Sequence, residues 1–79
     1  MTQVRYFAAA AAAAGTDGES FPAPTLGELR ALMSDRHGDG FARVLARCST
    51  LVNGTRTDDP TATLTETDRV DVLPPFAGG

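Results

Sequence analysis

The clearest pattern in the sequence is one amphipathic helix in the first half of the chain. Thr25 and Glu28 match a capping box, in which the side chain of each residue bonds to the backbone N–H of the other. His37 and Gly38 predict the helix end, because a histidine favours the negative C-terminal dipole and a glycine turns left-handed easily. The apolar residues between these ends share one face: Leu26, Leu29, Leu32 and Met33. Such a face needs a second layer to cover it.

Two segments near opposite ends of the chain have the composition of strands. Residues 4–7 are β-branched and aromatic, and Arg69–Leu73 alternates apolar with polar residues. These are the two strongest strands, so we expect them side by side at the centre of a sheet. They then run parallel, since most of the chain lies between them. Pro74 and Pro75 end the pairing, because proline has no N–H to donate.

The rest of the chain supplies shorter elements. We predict helical turns over residues 8–14, an edge strand over 17–21, a second helix over 41–48 and a hairpin over 51–56. The predicted fold class is therefore α+β, a mixed sheet packed on one main helix. A chain of 79 residues is enough for one domain, here residues 1–79, with 74–79 as a projecting tail.

Composition excludes several classes of function. The net charge is −3, and all seven basic residues are scattered arginines, so no basic stripe predicts nucleic acid binding. Without lysine the chain has no Schiff base and no side-chain amine for isopeptide attachment. The lone Cys48 allows no internal disulfide and is expected to be buried. The alanine run is too short to span a membrane, and we expect a cytoplasmic protein.

The common catalytic and metal sites find no support in the pattern. A calcium loop starting at Asp35 would need a glutamate at its twelfth position, which is Ala46. One histidine and one cysteine cannot make a structural zinc site. Acidic residues gather in the C-terminal half, where they predict either a solvated face or a docking surface for a basic partner: Asp58, Asp59, Glu66, Asp68 and Asp71.

The tail, residues 74–79, carries the strongest functional signal. After the two prolines come Phe76 and Ala77, and the sequence stops at Gly78 and Gly79. Glycine has no Cβ, so an extended tail of this kind fits a narrow channel that side chains would block. The chemistry is then expected at the α-carboxylate of Gly79, activated by a partner.

Four segments resemble a known family: residues 4–8 with the alanine run and Gly15, residues 25–29, residues 52–54, and residues 68–79. They are similar to the ubiquitin-like sulfur carriers of the β-grasp fold, and most similar to the MoaD-type small subunit of molybdopterin synthase. The last segment, Asp-Arg-Val-Asp-Val-Leu-Pro-Pro-Phe-Ala-Gly-Gly, is the most specific of the four.

The resemblance implies a carrier with no active site, bound cofactor or metal of its own. An activating adenylyltransferase would use ATP on Gly79, and a sulfur donor protein would leave a thiocarboxylate there. The large subunit of molybdopterin synthase, in a 2:2 heterotetramer, would then pass the sulfur to a pyranopterin precursor. The alternatives are a carrier for thiamine-thiazole or cysteine biosynthesis, and a ubiquitin-like binding module with an inert tail. We expect no nucleic acid or membrane partner.

Strand alternation predicts where the partners bind. If Val4, Tyr6, Val70 and Val72 face the helix, the outer face carries Arg5 opposite Asp71, and Phe7 beside Leu73. We expect Phe7 and Leu73, with Pro75, Phe76, Ala77 and Gly78 of the tail, to bind partners, unless loops cover the two outer-face residues.

Overall fold

A computed structural model describes residues 1–75 of the chain. Its elements follow in the order β1 (Thr2–Tyr6), α1 (Ala9–Ala14), β2 (Gly18–Phe21), α2 (Leu26–His37), α3 (Asp39–Leu45), β3 (Ser49–Val52), β4 (Thr55–Arg56) and β5 (Arg69–Leu73). The five strands form one mixed sheet in the order β2-β1-β5-β3-β4. The predicted α+β class is confirmed, and β2 lies at an edge as predicted.

The two strongest predicted strands do lie side by side. β1 runs parallel to β5, with Val4 opposite Val70 and Tyr6 opposite Val72. All four side chains are buried. Strand alternation therefore assigned the inner face of the sheet correctly.

The helices cover this inner face and complete the core. Their buried side chains are Ala10, Leu26, Leu29, Met33, Phe41 and Leu45. At the start of α2 the backbone N–H of Glu28 donates to Thr25 Oγ1 (3.3 Å), which is one half of the predicted capping box. At its end Gly38 has a φ of 88° and its N–H donates to Ser34 O (2.8 Å), so the predicted end is confirmed.

The helix that was predicted over residues 41–48 corresponds to α3, which is shorter and begins nearer the N-terminus. It spans Asp39–Leu45, whereas the apolar spacing predicted residues 41–48. The N–H groups of Arg47 and Cys48 donate to carbonyls only three residues earlier, Val44 O and Leu45 O (both 3.0 Å). This tighter turn ends the helix and buries Cys48 just before β3 begins.

Two turns within residues 1–75 place a non-glycine residue at a positive φ. Asn53 and Gly54 have φ values of 51° and 87°, so the predicted hairpin turn is confirmed. Ala8, between β1 and α1, has φ 49° and ψ −122°, and the N–H of Ala10 donates to Phe7 O (3.0 Å). This geometry is close to a type II′ turn, whose first central position normally holds glycine. The alanine composition gave no sign of it.

Across residues 1–75 no helix is long and apolar enough to cross a membrane.

Candidate functional site

The base of the tail, Pro74 and Pro75, lies at one end of the sheet. β5 ends at Leu73, after which Pro74 is half-buried and Pro75 is exposed. The predicted tail residues Phe76, Ala77, Gly78 and Gly79 lie outside the described residues. Leu73 is paired with Ser49, the first residue of β3, so the tail starts beside the entry of β3 into the sheet.

Phe7 lies beside the base of the tail. Its N–H donates to Val72 O (3.1 Å), which continues the parallel register of β1 and β5 by one residue and sets Phe7 next to Leu73. The side chain of Phe7 is one of two large exposed apolar side chains within residues 1–75, at 37% exposure, and Leu73 is half-buried. Their positions agree with the alternation argument, and their part in partner binding stays a proposal.

Arg5 and Asp71 form a two-pronged ion pair on the same outer face. Arg5 Nε donates to Asp71 Oδ1 (2.9 Å) and Arg5 Nη2 donates to Oδ2 (3.2 Å), while Arg69 Nε lies 3.6 Å from Oδ1. Asp71 is only 10% exposed, whereas the two arginines are about half exposed (48% and 50%). The hydrogen bond to Asp71, with its charge, raises the pKa of Arg5 against the opposing effect of burial.

Arg5 also contacts Phe7. Its guanidinium carbon lies 5.4 Å from the centroid of the Phe7 ring, a cation–π arrangement. Arg5 therefore connects the buried carboxylate of Asp71 to the exposed ring at the tail base. We call Arg5, Phe7 and Leu73 the outer patch. Its charge is positive and its remaining surface is apolar.

Several of the acidic residues in the C-terminal half are engaged within the chain. Asp68 accepts from Asn53 Nδ2 and from the N–H of Thr65 (both 2.8 Å), and these bonds lower its pKa. Asp59 accepts from Thr61 Oγ1 (2.7 Å) and from its N–H (2.9 Å), which lowers the pKa of Asp59. Asp59 and Asp68 are thus held in internal hydrogen bonds, and Asp71 is paired with two arginines, so these three carboxylates are not simply a solvated face.

A cluster around Glu19 was missed by the sequence analysis. Glu19, on β2 and 12% exposed, accepts from Tyr6 Oη (2.7 Å) and pairs with His37 Nε2 and with Arg36 Nε (3.1 Å). Burial opposes the charged carboxylate, but the bonds to His37 and Tyr6 and the charges of His37 and Arg36 outweigh it and lower the pKa of Glu19. Burial and the bond to Glu19 raise the pKa of Tyr6. The only available signal was that Glu19 alternates onto the helix-facing side of β2.

Two grooves on the described surface are candidates for a catalytic site, and neither brings catalytic side chains together. One groove of about 420 Å³ is lined by residues such as Pro22, Pro24 and Leu64. Another of about 400 Å³ is lined by Arg43, Val44, Ala46 and Arg47. Over the part of the chain that the structure describes, no three His, Cys, Asp or Glu side chains lie close enough to hold a metal ion.

Sequence comparison settles the family. The profile of the ThiS family matches residues 4–79. The chain belongs to the ThiS family. This confirms the predicted membership of the ubiquitin-like sulfur carriers. No curated protein sequence matches the chain significantly.

Solved structures give the ThiS-family chain close structural neighbours. A chain from the complex of subunits 1 and 2 of the Helicobacter pylori molybdopterin-converting factor is 27% identical, with a TM-score of 0.77 over 99% of this chain and 97% of that one. A Pyrococcus furiosus protein described as subunit 1 of a molybdopterin converting factor is also 27% identical (TM-score 0.81, 95% and 97% covered). The small archaeal modifier protein 1 of Methanosarcina acetivorans, 20% identical, shares the fold (TM-score 0.86, 99% and 95% covered). The β-grasp prediction is confirmed.

Proposed function

We propose that this chain is the sulfur-carrier subunit of molybdopterin synthase, with the α-carboxylate of Gly79 as the sulfur-bearing group. One observation carries the proposal: the ThiS-family match extends to the final Gly78-Gly79. The molybdopterin branch is supported by 27% identity to a chain of the Helicobacter pylori molybdopterin-converting factor complex and to the Pyrococcus furiosus protein described as subunit 1 of such a factor, in each case over nearly the full length of both chains.

The proposed chemistry needs three partners and no catalytic side chain in this chain. In the activating enzyme a carboxylate oxygen of Gly79 attacks the α-phosphorus of ATP and releases pyrophosphate. The terminal sulfur of a persulfide on the donor protein then attacks the acyl carbon and displaces AMP. A second thiol of the donor cleaves the resulting S–S bond, which leaves the thiocarboxylate on Gly79 and a disulfide on the donor.

The role of the fold is to position the base of the tail. β5 holds the tail base at the centre of the sheet, paired on one side with β1 and on the other with β3. Residues 76–79 reach about 13 Å when extended, which is far enough to deliver a carboxyl carbon into a partner's active site. Pro74 and Pro75 restrict the base of the tail, which reduces the entropy lost on insertion.

The outer patch is the surface that we assign to the tail-receiving enzymes. Phe7 and Leu73 are apolar and border the tail, and Arg5 adds a fixed positive charge held by Asp71. An exposed apolar patch of this kind is typical of a protein interface. The large subunit is the partner expected from the Helicobacter pylori neighbour, which comes from a complex of subunits 1 and 2.

Reconstituted sulfur transfer tests the proposal. The chain is mixed with an activating enzyme, a sulfur donor, ATP and a molybdopterin synthase large subunit, and conversion of the pyranopterin precursor is measured. Deleting Gly79, or adding one residue after it, should abolish conversion without changing the thermal unfolding midpoint. Gly40→Ala is the matched control, because a Cβ at Gly40 meets only open space. An extended variant that stays active would contradict the carrier mechanism. Adenylation of the wild type without precursor conversion would instead favour the thiamine-thiazole or cysteine pathway.

A further inference from the structure

Three of the seven arginines stand apart from the rest. Of the seven, four lie within 4 Å of a carboxylate oxygen: Arg5, Arg36, Arg56 and Arg69. Arg30, Arg43 and Arg47 have no such partner among residues 1–75. In a protein with ten acidic residues and a net charge of −3, this unpaired group is unexpected.

The three arginines gather around the C-terminal end of α3. Arg30 reaches across from α2, and its Nη2 donates to Leu45 O (3.2 Å). Arg43 lies in the last turn of α3, and Arg47 follows its end; both are exposed. Val44 and Ala46, between them in sequence, line the groove of about 400 Å³ together with the two arginines. We call Arg30, Arg43 and Arg47 the α3 arginine surface.

This surface lies at the end of the molecule where β5 ends and Pro74 begins the tail. Arg47 is two residues before Ser49, and Ser49 is paired with Leu73, the last residue of β5. α3 packs against α1 and α2, and its buried Phe41 contacts the ring of Tyr6 on the inner face of β1, with 5.5 Å between the ring centroids. Through Arg47 the α3 arginine surface therefore approaches the tail base from the helix side, while the outer patch borders the tail base on the other side.

A purely structural role explains only part of the group. Positive charges near a helix C-terminus are stabilising, and Arg30 satisfies a terminal carbonyl of α3 directly. However, the guanidinium groups of Arg43 and Arg47 make no hydrogen bond within the described part of the chain. Like charges four residues apart also repel by a few tenths of a kcal/mol. Two exposed guanidinium groups beside an apolar groove are better suited to an external carboxylate.

We propose that the α3 arginine surface binds an acidic surface of the activating enzyme, beside the channel that receives the tail. The inference rests on the proposed function, since it assumes that Gly79 is adenylated. We assign the surface to the activating enzyme because adenylation of Gly79 is the step that the molybdopterin, thiamine-thiazole and cysteine pathways share. Charge complementarity at this position orients the chain with its tail towards the channel and raises the association rate.

Association kinetics test the proposal against a variant of equal net charge. Arg43→Gln/Arg47→Gln lowers the net charge by 2, and so does the control Thr55→Glu/Thr63→Glu. Both control positions are exposed and lie at the end of the sheet away from Leu73. Thr55 follows the hairpin turn between β3 and β4. Thr63 is two residues from Thr65, whose carbonyl accepts a hydrogen bond from Thr2 at the start of β1. Stopped-flow binding to the activating enzyme is measured at low and high salt, with ATP–pyrophosphate exchange as a second readout.

The arginine variant should associate about tenfold more slowly at low salt and show a weaker salt dependence, whereas the control should match the wild type. Arg43→Lys/Arg47→Lys should restore most of the rate, because it keeps both charges. Thermal unfolding checks that every variant is folded. If the arginine variant binds at the wild-type rate while the wild type supports exchange, the inference fails and the proposed function stands. Equal slowing of both double variants would mean a net-charge effect and would also overturn it. A wild type that supports no exchange would remove the proposed function and this inference together.

Discussion

Arg5 and Asp71 face each other across the two central parallel strands, joined by hydrogen bonds of 2.9 and 3.2 Å. The pair is asymmetric, because Asp71 is 10% exposed and Arg5 is 48% exposed. Arg5 also lies over the ring of Phe7, so the ion pair with Asp71 fixes the arginine that contacts the outer-patch phenylalanine. Removing Arg5 and removing Asp71 should therefore change the free energy of unfolding by different amounts.

We predict that Arg5→Gln destabilises the fold more than Asp71→Asn. Arg5→Gln leaves a nearly buried carboxylate with only the more distant Arg69, at 3.6 Å, for a charged partner. Asp71→Asn instead leaves two arginines that are already half in solvent and are easily rehydrated. Chemical denaturation of both variants measures the order. A larger loss in Asp71→Asn would show that the buried carboxylate does not need Arg5.

Phe7→Glu should weaken binding to both the activating enzyme and the large subunit by more than about 2 kcal/mol, the cost of losing an interface hot spot. Gln3→Glu is the control, since it adds the same charge on the same strand face at the opposite end of β1. Calorimetric titration gives both affinities, and a melting curve confirms the fold. Wild-type affinity in a folded Phe7→Glu variant would exclude Phe7 from the interface.

Ala8→Gly should stabilise the protein by about 0.5–1 kcal/mol. An alanine at φ 49° carries strain of about 1–3 kcal/mol, part of which glycine returns as extra entropy of the unfolded chain. Ala12→Gly, at an exposed position inside α1, should instead destabilise by about 1 kcal/mol. The two unfolding free energies should therefore move in opposite directions. A destabilised Ala8→Gly variant would show that the turn is not strained.

Stability should fall with acid partly through Glu19. The pKa of Glu19 is below its ordinary value of 4.5 in the folded state, so its contribution is complete above that pH and is lost as the pH falls through the folded value. Glu19→Gln should cost about 1–3 kcal/mol at pH 7, because it weakens the bonds from Tyr6 and His37. It should also flatten the loss between neutral and acid pH. Glu66→Gln, at an exposed loop position, is the control. An unchanged pH profile in Glu19→Gln would exclude the cluster as its source.

The parts of the fold that follow local patterns were predictable from the sequence. Alternation in Arg69–Leu73 and the capping residues of α2 depend on neighbours in the chain, and both gave correct bounds. The pairing of Arg5 with Asp71 also followed, since two adjacent parallel strands leave little choice of register.

The features that were missed depend on distant contacts. Glu19 is 18 residues from His37 and 13 from Tyr6, so nothing in the local sequence indicates that they meet. The burial of Asp71 requires arginines from two strands. The turn at Ala8 is imposed by the change of direction from β1 to α1, whereas alanine composition alone favours a helix there.

The C-terminal thiocarboxylate is tested most directly by the mass of the intact chain after incubation with an activating enzyme, a sulfur donor and ATP. Replacing one oxygen of Gly79 by sulfur adds about 16 Da. Oxidation of Met1 or Met33 gives the same nominal shift, so the C-terminal peptide must be fragmented to locate it. We predict that the added mass maps to Gly79 and is absent when Gly79 is deleted. If the activating enzyme adenylates the chain in the presence of the sulfur donor and no mass is added at Gly79, the sulfur-carrier account is contradicted.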